Sequence, residues 1–199
     1  MRAIFEFIVK PKNGRTNNEK TIGDSKLILN TELQDHNFVS REGVVIAVPL
    51  GIETSVKVGD EIIVHHNVFR RYRDIRGKEK NSKSYFENDT FFVSVDQVYA
   101  YKRANKWKAC EGFNFVKPLQ EDKMFSASFE KPLIGIMKTK DPDLKGIEEQ
   151  DLIGFKPSSE YEFIIDGQKL YRVPTNQITI KYERQGNEKE YNPSWAKSG

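Results

Sequence analysis

Apolar residues along this chain fall in short runs rich in Val, Ile, Phe and Tyr, with Gly, Asn, Asp and Pro between them. That spacing marks strands bounded by turns, and the recurrence of an amphipathic helix is nearly absent. In the first half the pattern predicts strands over Ile4 to Lys10, Gly43 to Val48, Glu61 to Val68, Phe91 to Val95 and Gln97 to Lys102. In the second half it predicts Phe113 to Lys117, Leu133 to Lys138, Leu152 to Phe155, Tyr161 to Ile165, Lys169 to Val173 and Gln177 to Tyr182. The expected fold class is all-β.

The two halves repeat. Phe5 to Pro11 matches Phe113 to Pro118, and Val44 to Val48 answers Leu133 to Met137. Val58 to Ile63 answers Glu149 to Gly154, each an acidic turn feeding an apolar strand, and Phe91 to Tyr101 answers Leu170 to Ile180. Matches in the same order point to one supersecondary plan used twice. The join is expected in the polar stretch Arg103 to Gly112, giving domains over 1–104 and 105–183 and a polar tail, 184–199, that packs loosely. Strands this short suit small barrels, closed or nearly so, because closure removes edges that would pair with other chains. Cores of this size hold little margin over chain entropy, so packing of the halves or oligomer formation is expected to help.

Several of these segments carry a resemblance. Phe7-Ile8-Val9-Lys10-Pro11-Lys12 opens the first half, Arg41-Glu42-Gly43 leads into Val44 to Val48, and Val56-Lys57-Val58-Gly59-Asp60 turns into Glu61-Ile62-Ile63. In that order they resemble the chaperonin-10 family, the GroES-like co-chaperonins. His65-His66-Asn67-Val68-Phe69-Arg70 is similar to the versions encoded by tailed bacteriophages. The Val-Lys-Val-Gly-Asp turn is the most specific stretch. The first half is covered end to end, and the second resembles the family through its strand order. The resemblance implies two tandem GroES-like β-barrels, the first with a mobile loop at about residues 13–42, the second a degenerate copy.

Within that loop, Asn13 to Ser25 is too polar to build a core, and one apolar triplet follows, Leu27-Ile28-Leu29, closed by Asn30-Thr31. In the family a hydrophobic tripeptide at this place binds a groove between two helices of the chaperonin's apical domain. The resemblance therefore implies that Leu27, Ile28 and Leu29 bind a chaperonin. Burying three aliphatic side chains yields roughly 4.5 to 9 kcal/mol, and ordering each loop residue costs about 1 to 2 kcal/mol. One arm then binds weakly, and several arms on one ring bind through effective concentration. The other reading of the triplet is an ordinary strand in a long hairpin. The second half has no such arm, and Phe125 and Phe129 between its first two strands read as packing residues. By resemblance the partners are a GroEL-type chaperonin, a folding client and further copies of this chain in a homo-heptamer; ATP is bound by the chaperonin and the chain needs no cofactor.

Composition narrows the rest. A single cysteine, Cys110, precludes an intramolecular disulfide and suits a reducing compartment. Glu6 interrupts the apolar N-terminal run, and no stretch approaches the roughly 20 apolar residues of a membrane span. A soluble cytoplasmic protein without membrane contact is expected, in the host bacterial cytoplasm if phage-encoded. His65 and His66 are adjacent in a predicted strand, where their side chains would leave opposite faces, so no metal is expected. No phosphate-cradling glycine loop, nucleophile elbow or acid pair stands out, which argues against an enzyme.

Net charge is +3. Arg70 to Lys83 holds seven basic side chains against Asp74 and Glu79, a local +5, so the remainder sums to −2. A solvated loop is the plainest reading. An electrostatic contact to an acidic chaperonin surface or client comes next, and nucleic acid last, because Tyr72 and Tyr85 flank one loop and do not array over a face. The reading from another class is a small-barrel nucleic-acid-binding or phage structural protein.

Overall fold

The computed structural model describes residues 3–16, 19–22, 25–28, 39–121 and 129–198, with backbone only for 19–22, 25–28, 197 and 198. Its strands are β1 (Phe7–Pro11), β2 (Glu19–Ile22), β3 (Ser25–Ile28), β4 (Glu42–Ala47), β5 (Glu61–Val64), β6 (Arg71–Arg73), β7 (Glu79–Asn81), β8 (Phe91–Val93), β9 (Val98–Arg103) and β10 (Lys106–Ala109). They continue as β11 (Phe113–Gln120), β12 (Glu130–Thr139), β13 (Leu152–Phe155), β14 (Tyr161–Ile165), β15 (Gln168–Pro174) and β16 (Ile178–Tyr182). The protein is all-β with antiparallel ladders, and none of the described helices is long and apolar enough to cross a membrane. It divides into two units, Met1–Lys106 and Trp107–Gly199.

One sheet has the order β10-β9-β5-β4-β1-β8 and the other β14-β15-β11-β12-β13-β16. Apart from the outermost β10 and β14, the two sheets place equivalent strands in the same order. The equivalence extends to register. β1 and β4 pair Val9 with Val45 and Pro11 with Gly43, with a bulge between Ile8 and Val9. β11 and β12 pair Val116 with Met137 and Pro118 with Gly135, with a bulge between Phe115 and Val116. Val45 N donates to Asp60 O at 3.0 Å and Gly59 N to Val45 O at 2.9 Å. In the second unit Met137 N donates to Asp151 O at 2.9 Å and Gln150 N to Met137 O at 2.7 Å. Gly59 and Gln150 both sit at positive φ, +86° and +77°, so the turn needs that backbone form in each copy and uses glycine for it once.

These registers correct the alignment read from sequence. Gly43 is equivalent to Gly135, so Val44 answers Ile136 and not Leu133; Val98 answers Ile178 and not Gln177. The reason is steric. A Cβ on Gly43 would lie 2.5 Å from Val9 Cγ1, and one on Gly135 would lie 2.5 Å from the Lys117 carbonyl oxygen. The anchor of the repeat is a missing side chain, which an apolar-run comparison does not weigh.

Closure into barrels, expected from the short strands, is not what the ladders make: each sheet ends in two edge strands. β8 and β9 lie four inter-strand steps apart, roughly 19 Å if the sheet were flat. Only residues 94–97 join them, three in a 3₁₀ turn (Val95–Gln97), and five fully extended Cα steps reach just about 18 Å. The first sheet therefore curls so that its edges approach. They do not ladder, because backbone groups at the junction are used otherwise: Gln97 N bonds Ser94 O and Gln97 O accepts from His65 N, both at 3.0 Å. The second sheet repeats the device, with Thr175–Gln177 as its 3₁₀ turn and Lys156 N on Gln177 O at 3.0 Å.

Alternate strand residues fill the interiors. Phe7, Val9, Val45, Ile62, Val64, Phe69, Phe91 and Val93 are buried in the first unit, and Phe69 meets Phe91 edge-on at 4.9 Å. In the second, Val116, Met137, Ile153, Phe155 and Val173 form one cluster.

Three further expectations change. Part of the stretch read as a linker forms β10. His65 and His66 lie beyond the end of β5, not within a strand, and their rings stack at 4.2 Å instead of leaving opposite faces. The tail expected to pack loosely lies on its own unit: Gln120 N bonds Lys189 O at 2.8 Å, Tyr191 N bonds Pro118 O at 2.8 Å, and Ala196 is buried.

Candidate functional site

The β1–β4 ladder runs on past Pro11. Lys12 N donates to Glu42 O at 3.0 Å, Ser40 N to Arg15 O at 3.0 Å, and Thr16 bridges Val39. Residues 17–38 thus leave and rejoin the ladder at one place. Within them β2 and β3 form a separate two-stranded sheet, pairing Glu19 with Ile28 and Lys20 with Leu27. Of the three residues singled out from sequence, Leu27 and Ile28 end β3, and Leu29 lies outside the described residues.

Arg15 fastens this junction. Its Nη1 donates to Asn81 Oδ1 at 2.8 Å, Nε to Phe69 O at 3.2 Å and Nη2 to Arg70 O at 3.3 Å. The guanidinium carbon stands 5.0 Å from the centre of the Phe91 ring and 5.6 Å from that of Tyr85, within cation–π range. Burial, and then the charge of Arg71, push its pKa down. Beside it, Lys12 Nζ lies 2.8 Å from Glu61 and 3.3 Å from Glu42, and the Glu61 bond raises its pKa. Sequence reading missed Arg15; the only signal was one arginine in an otherwise small, polar run.

The basic segment is solvated, as expected, but forms a hairpin and not an irregular loop. β6 and β7 pair Arg71 with Asn81, Tyr72 with Lys80 and Arg73 with Glu79. Asp74 Oδ1 accepts from Arg76 N at 2.9 Å and Lys78 N at 3.0 Å, closing the turn, and Gly77 takes φ +75°. Glu79 is paired with Arg71 at 2.8 Å. Both acids of the segment are engaged in this way, while Arg73, Arg76, Lys78, Lys80 and Lys83 are exposed. A cleft of about 320 Å³ opens beside the hairpin, lined by Arg70, Tyr72 and Lys83 among others.

The second unit holds a buried polar cluster that the sequence did not announce. Lys117, equivalent to Lys10, is 2 % exposed and donates to Asn192 Oδ1 at 2.6 Å and Lys169 O at 3.2 Å. Burial pushes its pKa down to about 8. Lys169 is also buried, which alone would lower its pKa, but Glu130 at 2.6 Å and Glu162 at 2.9 Å hold it above the ordinary lysine value. Tyr171 donates to Glu130 Oε2 at 2.6 Å, and its pKa is pushed up to about 12, by burial first and by Glu130 next. The bonds of this cluster knit the tail to β11 and β15, a structural role. Burial likewise pushes the Cys110 thiol up to about 12, away from the thiolate form.

No model of a known protein family matches the chain, and comparison with curated proteins finds no match.

Proposed function

We propose that this chain is a non-enzymatic co-chaperonin that caps a GroEL-type chaperonin ring in a nucleotide-dependent way and so assists the folding of a client. In this reading the two curled sheets are GroES-like barrel units, and seven chains form the lid. Leu27, Ile28 and Leu29 dock on the rim, and ATP is bound and hydrolysed by the chaperonin.

The observation that carries the reading is the junction at Thr16 and Val39. An apolar triplet lies on an insertion whose two ends meet at one point of a ladder, fastened there by Arg15. A lid that is removed in every cycle requires tethers of this kind. Each contributes a weak contact, and the fixed frame sets their effective concentration. Further support comes from the Val56 to Asp60 turn. Asp60 Oδ2 accepts from Lys57 N at 2.8 Å, which fixes the entry to β5.

The test is co-elution on size exclusion with a double-ring chaperonin. The expected result is a complex with ATP and none without it. Replacing Leu27, Ile28 and Leu29 together by Ser should abolish the complex and leave the circular dichroism and melting of the free protein unchanged. A complex that survives the triple replacement, or none at all with ATP, overturns the proposal.

A further inference from the structure

We infer that the cleft at the foot of the β6–β7 hairpin takes one nucleotide of a single-stranded nucleic acid, with the hairpin's cations following the neighbouring phosphates.

The cleft, about 320 Å³, is at the lower end of the range that encloses a small ligand, enough for one base with its phosphate. Its walls have a consistent chemistry. Arg70 and Lys83 bring two positive charges, and no carboxylate lines the cleft. Tyr72 lies on the same wall and is 39 % exposed, which brings an aromatic ring to the cleft. The positive charge of Arg70 and Lys83 in a cleft without a carboxylate suits an anionic oxygen.

Two further groups suit the edge of a base better than a bare carboxylate. Asn67 and Gln97 line the cleft, and each side-chain amide presents both donors and an acceptor. A carboxylate has no use for those acceptors, whereas base edges carry donors and acceptors together. Aromatic stacking combined with cations along the backbone is the usual chemistry of single-strand binding. The exposed Arg73, Arg76, Lys78 and Lys80 extend that charge along the hairpin, where Asp74 and Glu79 are already engaged. From sequence alone the same segment was one basic loop with no surface behind it. The cleft, and the tyrosine and cations that line it, favour a nucleic acid.

The experiment is fluorescence anisotropy of the full chain with labelled oligothymidine and oligouridine of about 15 nucleotides, titrated from about 50 to 200 mM salt. Polyglutamate of matched charge is the comparator. Binding to either oligonucleotide is expected, weakening with salt by a log–log slope of about −0.7 per phosphate neutralised, and the stronger arm identifies DNA or RNA. Tyr72→Ala should weaken binding about tenfold, with Tyr72→Phe near wild type and an unchanged circular dichroism spectrum for both. Lys78→Ala and Lys80→Ala should each reduce the slope. The inference is overturned by no binding at low salt, by polyglutamate binding as tightly as the oligonucleotides, or by a Tyr72→Ala variant that binds unchanged. None of these outcomes touches the chaperonin proposal, which is read on a different complex.

Discussion

Asn192 Oδ1 stands 2.6 Å from Lys117 Nζ and 2.8 Å from the backbone nitrogen of Lys169, so one amide oxygen closes two buried donors. Its Nδ2 donates to Gly167 O at 3.1 Å. Asn192→Ala leaves the Lys169 N–H and the Gly167 carbonyl without this partner and Lys117 with only its bond to Lys169 O, and is expected to cost the second unit about 1 to 3 kcal/mol. Tryptophan fluorescence in urea reads this unit through Trp195, measured in a Trp107→Phe background because Trp107 sits on β10 of the first sheet. A midpoint shift too small to resolve would mean that the tail is not clamped by this residue.

Lys117 also sets a pH dependence. Its folded pKa of about 8 lies below the roughly 10.4 of an unfolded lysine. Between those values the unfolded chain binds more protons, so stability rises with pH. The second unit is expected to gain up to about 3 kcal/mol as pH climbs from 7 toward 10. Lys169 does not oppose this. Its folded pKa is raised, so its contribution is fully present below about 10.5 and is lost only above that. Tyr171, also raised, weakens the fold only above about pH 10. Urea midpoints at pH 7 and 9.5 measure the rise, and Lys117→Met should flatten it.

Gly43→Ala and Gly135→Ala place a methyl at equivalent points of the two sheets. On Gly43 the new carbon lies 2.5 Å from the movable Val9 Cγ1 and 3.1 Å from the Lys10 carbonyl oxygen; on Gly135 it lies 2.5 Å from the Lys117 carbonyl oxygen and 2.6 Å from Val116 Cγ1. Overpacking of this kind costs about 1 to 3 kcal/mol, and the Gly135 variant is expected to be the worse because backbone yields less than a side chain. Equal thermal shifts in the two variants would contradict that reasoning.

Arg15→Ala removes three hydrogen bonds and two ring contacts from the arm junction at once. Amide exchange at Ser40, whose N–H bonds Arg15 O, should quicken by at least about tenfold, the factor that corresponds to 1.4 kcal/mol of local opening. Arg15→Lys should not rescue it, since an ammonium cannot serve Phe69 O, Arg70 O and Asn81 with the geometry of a planar fork.

The frame was legible in the sequence because its strands are apolar and bounded by turn residues. Leu152–Phe155 and Tyr161–Ile165 stand within the bounds that the pattern predicts. β6 and β7 were missed because Arg71 to Arg73 and Glu79 to Asn81 present no apolar face to a core; Asp74 and Gly77 hold the hairpin instead. β10 was missed for the same reason, three of its four residues being polar or partly exposed. Leu27, Ile28 and Leu29 were singled out by hydrophobic contrast with a polar surround, a local signal, and their role by resemblance alone. The contacts of Arg15 and Lys117 join positions more than fifty residues apart, and no window along the chain brings those partners together.

Because Thr16 and Val39 are bridged, everything between them is an appendix to a path that is already complete. Loop-closure entropy grows only with the logarithm of loop length. Such a junction therefore tolerates segments of widely differing size with little change to what lies beneath. The second half makes the point in reverse: the same two strands are joined there by a far shorter crossing. The molecule thus has an exchangeable socket, where a new specificity can be installed without redesigning the scaffold that carries it.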